Sequence, residues 1–406
     1  MFRFLLLLAA AAGPLEVERP IPPAAIEATT AWEVELPDTP SQAVRAVVLD
    51  GGISGLLVPY ENAIEVRLAL DGSLVWRREG LGAAGLMSGP PLLIGGVPTI
   101  GWSGADESGS AHFLLIAVND GANRSETPLD SAPLGPPLPD SDGGSAGPQW
   151  YVPLAGGVVI VIDPAGRVEE RLIASRAEIS PPLVVVEGRI CAFVGPHRRM
   201  VTLASLGQLE SPRLLSPITA AAGSRRLFAA QANSLSAWHC RALSRGGLRC
   251  GSAWKQPTGA PVTAAPLVVD DLVFVPSWDS FLYAFRQVNG HLLWRVSTPG
   301  RLSATPLAWD ELLAVAPQRS KAIGFYRNRD GASAGQIDAG NDEVFLSPPG
   351  RVDDRLVLAV SSPRADKPRT LRAYAVKRHV APAPTPAASQ EVSPLTAERN
   401  RSSSLR

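Results

Sequence analysis

Three kinds of residue in this 406-residue sequence could do chemistry: glycine-flanked serines, paired carboxylates and cysteines. Gly143-Gly144-Ser145-Ala146-Gly147 matches the Gly-x-Ser-x-Gly pattern of a hydrolase nucleophile, and Gly101-Trp102-Ser103-Gly104-Ala105 nearly does. That pattern works on a tight strand-to-helix turn that lifts the hydroxyl over an α/β sheet, beside His and acid partners. No helical pattern follows either serine, so both are read as chance matches. Asp140-Ser141-Asp142-Gly143 opens like a calcium loop, but no Glu follows in the register where a bidentate ligand must close it. The five histidines, His112, His197, His239, His291 and His379, show no metal-ligand spacing, and neither HExxH nor CxxC occurs. No catalytic residue, metal or cofactor is expected.

The cysteines are Cys191, Cys240 and Cys250. Residues 235–241 and 248–255 flank the turn-like Ser244-Arg245-Gly246-Gly247 and read as a hairpin centred on Arg245, which sets Cys240 opposite Cys250. Cross-strand neighbours lie about 4.5–5.5 Å apart, so an oxidising compartment should join them in a disulfide; the alternative is two reduced core thiols. Cys191, inside the apolar run 190–194, reads as a buried small hydrophobe.

The compartment is suggested by the first residues. Met1-Phe2-Arg3-Phe4 and the short apolar run 5–12 read as an export signal ending near Gly13. The run is too short to cross a bilayer core of about 30 Å, and no other stretch approaches the required length, so no transmembrane span is expected. No Cys near the cleavage site offers a lipid anchor. A periplasmic or secreted protein is expected. Lys plus Arg equal Asp plus Glu at 38 each, which leaves no global field to attract nucleic acid or anionic lipid.

The elements that would position any site come from a repeat. Ala265-Pro266-Leu267-Val268-Val269-Asp270-Asp271-Leu272-Val273-Phe274-Val275-Pro276, then Trp278-Asp279, Leu282-Tyr283-Ala284-Phe285, Asn289-Gly290 and Leu293-Trp294 hold four short strand-like runs cut by turn signals. A second copy has Leu57-Val58-Pro59-Tyr60 and Asp71-Gly72-Ser73-Leu74-Val75-Trp76. Sliding this Gly-to-Trp frame puts successive fourth strands at Trp32, Trp76, Ser125, Glu170, Ser211, Trp254, Trp294 and Gly335, in steps of about 40–49 residues, the period of four-stranded propeller blades. First strands are marked independently by Pro91, Pro182, Pro217, Pro266 and Pro306, since proline suits a strand start. Trp76, Trp254 and Trp294 share one repeat position, which argues for packing between blades.

The reading is an all-β, eight-bladed β-propeller of four-stranded antiparallel blades, with seven blades as the alternative count. Segment 31–36 has no strands before it and the last unit supplies only three, ending at 371–376, so the two should pair and close the ring. The expected divisions are a signal peptide at 1–12, an N-terminal extension at 13–30, the propeller at 31–376 and a disordered Pro/Ala/Ser-rich tail at 377–406. Residues 130–147 are read as an expanded loop between blades.

The Pro-initiated strand, Leu282-Tyr283-Ala284-Phe285, the Gly and Trp294 resemble the PQQ-like propeller repeat, over about 31–376. Members of that family include quinoprotein dehydrogenases and outer-membrane protein assembly factors. Resemblance to the dehydrogenases would imply a quinone stacked on a vicinal disulfide beside calcium; this chain has no adjacent Cys pair, so PQQ is not expected. Resemblance to the assembly factors implies a non-catalytic envelope scaffold with protein partners, here expected to be monomeric. The alternative is a quinone- or sugar-handling enzyme with a site in the central channel. The turns between second and third strands must share one rim, and they carry interface-anchor residue types, Tyr60, Trp102, His197, Trp278 and Arg319 among them, so that rim is the expected partner face. Ordinary turn composition is the competing explanation.

Overall fold

Short β-branched and aromatic runs interrupted by Asp-Asp, Asn-Gly and Gly-Gly turns leave no room for long elements, and the longest strand has 12 residues. The computed structural model describes residues 25–379 except 83–84, 106–107, 142–146, 174–178, 195–198, 204–218, 224, 244–247 and 363–367. The described residues form eight antiparallel sheets and one 3-10 turn, Asp50–Gly52. The sheets are consecutive blades: 45–78, 85–129, 138–173, 179–202, 219–257, 267–297, 307–338, and an eighth made of 344–379 with 25–36. Blade 4 has three described strands; its expected fourth-strand marker Ser211 lies outside the described residues. The first strands of neighbouring blades touch, as in blades 4 and 5, 5 and 6, 7 and 8, and 8 and 1, which places them around the central axis.

Closure is as the missing strands required. Ala25–Leu36 pairs antiparallel with Arg369–His379, with Trp32 opposite Ala373 and Val34 opposite Leu371. Arg372 adds an ionic seam: it donates to Glu33 on the closing strand and to Glu343 in the connection from blade 7, at 3.0 and 2.9 Å. The pairing runs to Ala25 and His379, beyond the expected limits at 31 and 376. The segment read as an inter-blade loop at 130–147 is partly strand: Leu138–Asp140 is the first strand of blade 3, with Pro139 opposite Trp150. A first strand is a sheet edge, where proline's missing donor costs little, so the Pro-rich composition hid it.

The blades are joined by one recurring device. Trp32, Trp76, Trp254 and Trp294 donate their indole N–H to Ala69, Val118, Gln287 and Asn328 in the following blade, at 2.7–3.0 Å. Each accepting carbonyl lies three residues before a glycine, Gly72, Gly121, Gly290 or Gly331, whose φ is between 70 and 75°. A Cβ there would stand 2.5–2.8 Å from the tryptophan ring, so only glycine lets the indole lie on the turn. Pairing skips one residue just before Trp32, Trp76, Trp254 and Trp294 and at the matching points before Ser125, Glu170 and Gly335. Such a bulge adds local twist and turns the next side chain toward the neighbouring blade.

Truncating a packed indole removes both its burial and its hydrogen bond. Trp294→Ala should cost about 3–5 kcal/mol, and Gly331→Ala about 2–3 kcal/mol through backbone strain and the lost ring contact. The double variant should cost clearly less than the sum, because both changes break the same clasp. Urea unfolding of the four-member cycle measures this, and strict additivity would show that the two residues do not act together.

Candidate functional site

Blades 6 and 7 present their second-to-third-strand turns side by side. In blade 6 the turn 277–280 joins Leu272–Pro276 to Phe281–Arg286, and in blade 7 the turn 316–321 joins Leu312–Val315 to Ala322–Arg327. The first is held from several directions. The Asp279 carboxylate accepts the Phe281 N–H at 3.0 Å and the Tyr283 hydroxyl at 2.5 Å, and Tyr283 Oη accepts Gly259 N–H at 3.2 Å. Ser277 Oγ donates to Ala260 and Thr298 Oγ1 to Ser280. A Cβ on Gly259 would come within 2.3 Å of the Asp279 carboxylate, so the close approach depends on glycine. Burial, reinforced by the bond to Asp279, raises the Tyr283 ionisation above its ordinary value and keeps the phenol a donor.

On this fixed turn Trp278 remains 37% exposed. The Arg301 guanidinium sits over its ring, 5.4 Å from the centroid. Arg301 belongs to the connection between blades 6 and 7, and its carbonyl accepts the N–H of Gln318, which fixes it beside the blade 7 turn. Arg319, with φ 50°, and Lys321 are exposed there. The site therefore joins an aromatic plate, covered on one face by Arg301, to two further exposed cations on the turn of the next blade.

The rim expected from sequence is only partly assembled. Trp278 and Arg319 come together on adjacent turns. Tyr60 and Trp102 do not join them, and this corrects the sequence reading. Tyr60 is in a second-to-third-strand turn but buried: its hydroxyl donates to Glu65 at 3.0 Å, Glu65 also accepts Arg67 and Arg77, and the Arg77 guanidinium covers the ring at 5.1 Å. Trp102 is fully buried inside the strand Val97–Ala105, its indole donating to Leu81 at 2.9 Å. That strand has nine residues where its counterparts in blades 6 and 7 have five and four, so equal-length spacing mistook strand for turn. His197 lies outside the described residues. Arg301 escapes the repeat spacing, which marks the turns between strands, because it lies on a blade-to-blade connection that reaches the same rim.

The other sequence candidates take structural roles where they are described. Ser103 is buried in the same strand and donates to Gly135, with no helix after it. Ser145 is outside the described residues. Cys240 and Cys250 pair across the blade 5 hairpin with Sγ atoms 2.07 Å apart. Cys191 shares their apolar cluster, and burial pushes its thiol up to about 12. No group of three or more His, Cys, Asp or Glu among the described residues could hold a metal. No helix of the described residues is long and apolar enough to cross a membrane.

The opposite rim carries a different surface. In and beside the first-to-second-strand and third-to-fourth-strand turns of blades 1 and 2, Val48, Ile53, Leu70 and Leu93 stand exposed, Leu70 at 73%. Between blades 6 and 7 the same rim holds a cleft of about 520 Å³, whose charges pair as Arg286 with Asp271 and Arg327 with Asp330.

Eight blades, the glycine-seated tryptophans and the ring-closing strand define a closed eight-bladed β-propeller. A family model described as "Outer membrane protein assembly factor BamB" matches residues 217–377. Among solved structures, BamB from Moraxella catarrhalis is similar at 15% identity, covering 86% of this chain and 100% of that one, with a TM-score of 0.55. A computationally designed protein, Ika8, is similar at 14% identity, covering 84% and 98%, with a TM-score of 0.59. No curated protein matches the chain. The chain is an eight-bladed β-propeller whose residues 217–377 match that family model.

The Cys191 environment yields a measurable consequence. A neutral thiol with a folded value of about 12 and an ordinary value of 9 contributes its full stability below about pH 9 and loses it as pH rises toward 12. Iodoacetamide at about pH 8 should therefore leave Cys191 unmodified in the native protein and label it fully in denaturant, as read by mass spectrometry. Rapid labelling of the native state would refute the buried assignment.

Proposed function

We propose that this protein is a non-catalytic interaction scaffold of the cell envelope, which holds a protein partner at the blade 6–7 rim and assists the assembly of envelope or outer-membrane proteins. The observation that carries the reading is Trp278: a large aromatic left exposed on a turn whose backbone is clamped by Asp279, Tyr283, Ser277 and Thr298. A plate that loses little entropy on binding is what an interface anchor requires. The likeness of the fold to BamB, a protein whose family description is outer-membrane protein assembly, supports the direction of the proposal. The sequence-level export signal agrees with a periplasmic or secreted location. In this reading no quinone is used, because the cysteine pair spans ten residues and is not the adjacent pair such a cofactor would stack on.

The test places a photocrosslinking side chain at Gln318, on this rim, and in a second protein at Leu70, on the opposite rim, in cells expressing the full chain. A discrete adduct from Gln318 that vanishes with Trp278→Ala, at unchanged melting temperature, is the expected result. Adducts from Leu70 alone would move the partner face to the other rim, and adducts from neither would defeat the scaffold reading.

A further inference from the structure

We infer that the partner segment received at this rim is acidic, a polypeptide stretch whose carboxylates meet Arg301, Arg319 and Lys321 while an apolar or aromatic side chain covers Trp278. The inference rests on the scaffold reading and adds the chemistry of the partner. It follows from a contrast between the two rims over blades 6 to 8.

On the opposite rim the arginines are already engaged. Arg286 pairs with Asp271, Arg327 with Asp330, Arg351 with Asp310, and Arg378 with both Asp310 and Glu311. On the Trp278 rim, each of the three cations Arg301, Arg319 and Lys321 is without a direct ion-pair partner among the described residues, and the carboxylate beside Trp278, Asp279, is turned to Tyr283 and the Phe281 N–H. Carboxylates brought to them would gain attraction with no internal pair to break.

The indole points the same way. The tryptophans that join blades all spend their N–H on a backbone carbonyl, as Trp294 does on Asn328. Trp278 Nε1 has no hydrogen-bond partner among the described residues, so it remains a donor for an incoming carbonyl or carboxylate. Arg301 stacked on the ring blunts an attack on that face by a further cation and favours an anion at its own edge.

The full chain is titrated with a short fluorescein-labelled peptide alternating Glu with Phe, and with its counterpart alternating Lys with Phe. Anisotropy should show binding of the Glu peptide, weakened about tenfold in Arg301→Gln/Arg319→Gln and by raising salt from about 0.05 to about 0.5 M. The Lys peptide should bind at least about tenfold more weakly than the Glu peptide. Equal affinity for the two peptides, or no effect of the arginine substitutions at unchanged melting temperature, overturns the inference. The Gln318 adduct separates the two levels: if it forms but survives both substitutions and high salt, the acidic partner is refuted and the scaffold stands. An adduct at Leu70 alone overturns the acidic partner at this rim and leaves a scaffold with another face; if neither Gln318 nor Leu70 forms an adduct, the scaffold reading itself fails, whatever the peptides do.

Discussion

The seat of one indole on one glycine turn is the contact on which this ring depends. A four-stranded blade has two faces to bury and cannot do so alone, so stability lies in the interfaces between blades. Those interfaces are mostly apolar and would tolerate sliding. The tryptophan N–H removes that freedom, because it must reach a particular carbonyl, three residues before a glycine that has room for the ring. The bulge just before each tryptophan supplies the twist that aims it. Sequence spacing, local backbone and blade angle are thereby locked together.

The lock has a side. It uses the turns between third and fourth strands, and Asp71, Asp120, Asn289 and Asp330 in those turns accept backbone N–H groups two residues on. Their chemistry is spent on shape. The turns between second and third strands take no part in the clasp, so they are free to differ from blade to blade. They do differ: one buries a tyrosine over an ion pair, as at Tyr60, and another leaves a tryptophan in solvent, as at Trp278. Variation on a rigid frame is where a binding surface is most easily placed.

This division explains what could be read from sequence. Trp32, Trp76, Trp254 and Trp294 are demanded by the repeat, so their spacing disclosed the fourth strands, and from there the ring and its closure followed. Cys240 and Cys250 were legible as neighbours because hairpin register is local. The rim was not legible to the same degree. Whether Tyr60 or Trp102 faces solvent depends on a carboxylate five residues away or on a strand four or five residues longer than its counterparts, and neither leaves a periodic trace. Arg301 reaches Trp278 across a connection, which only the folded arrangement reveals.

The degenerate repeat positions follow from the same constraint. Ser125 stands where a tryptophan would, and Gly166 of the next blade comes so close that a Cβ there would lie 2.5 Å from Ser125; the bond across the interface is then made by Thr127 Oγ1 to the Gly166 carbonyl. At the closing seam the clasp is inverted. Blade 8 has no turn between its third and fourth strands, since one ends at His379 and the other starts at Ala25, so it offers no glycine to receive an indole. Instead blade 7 carries the glycine, Gly335 at φ 136°, and Ile26 of the closing strand packs onto it. The missing tryptophan at 335 is therefore a consequence of closing the ring with separate ends, and it marks the seam in the sequence.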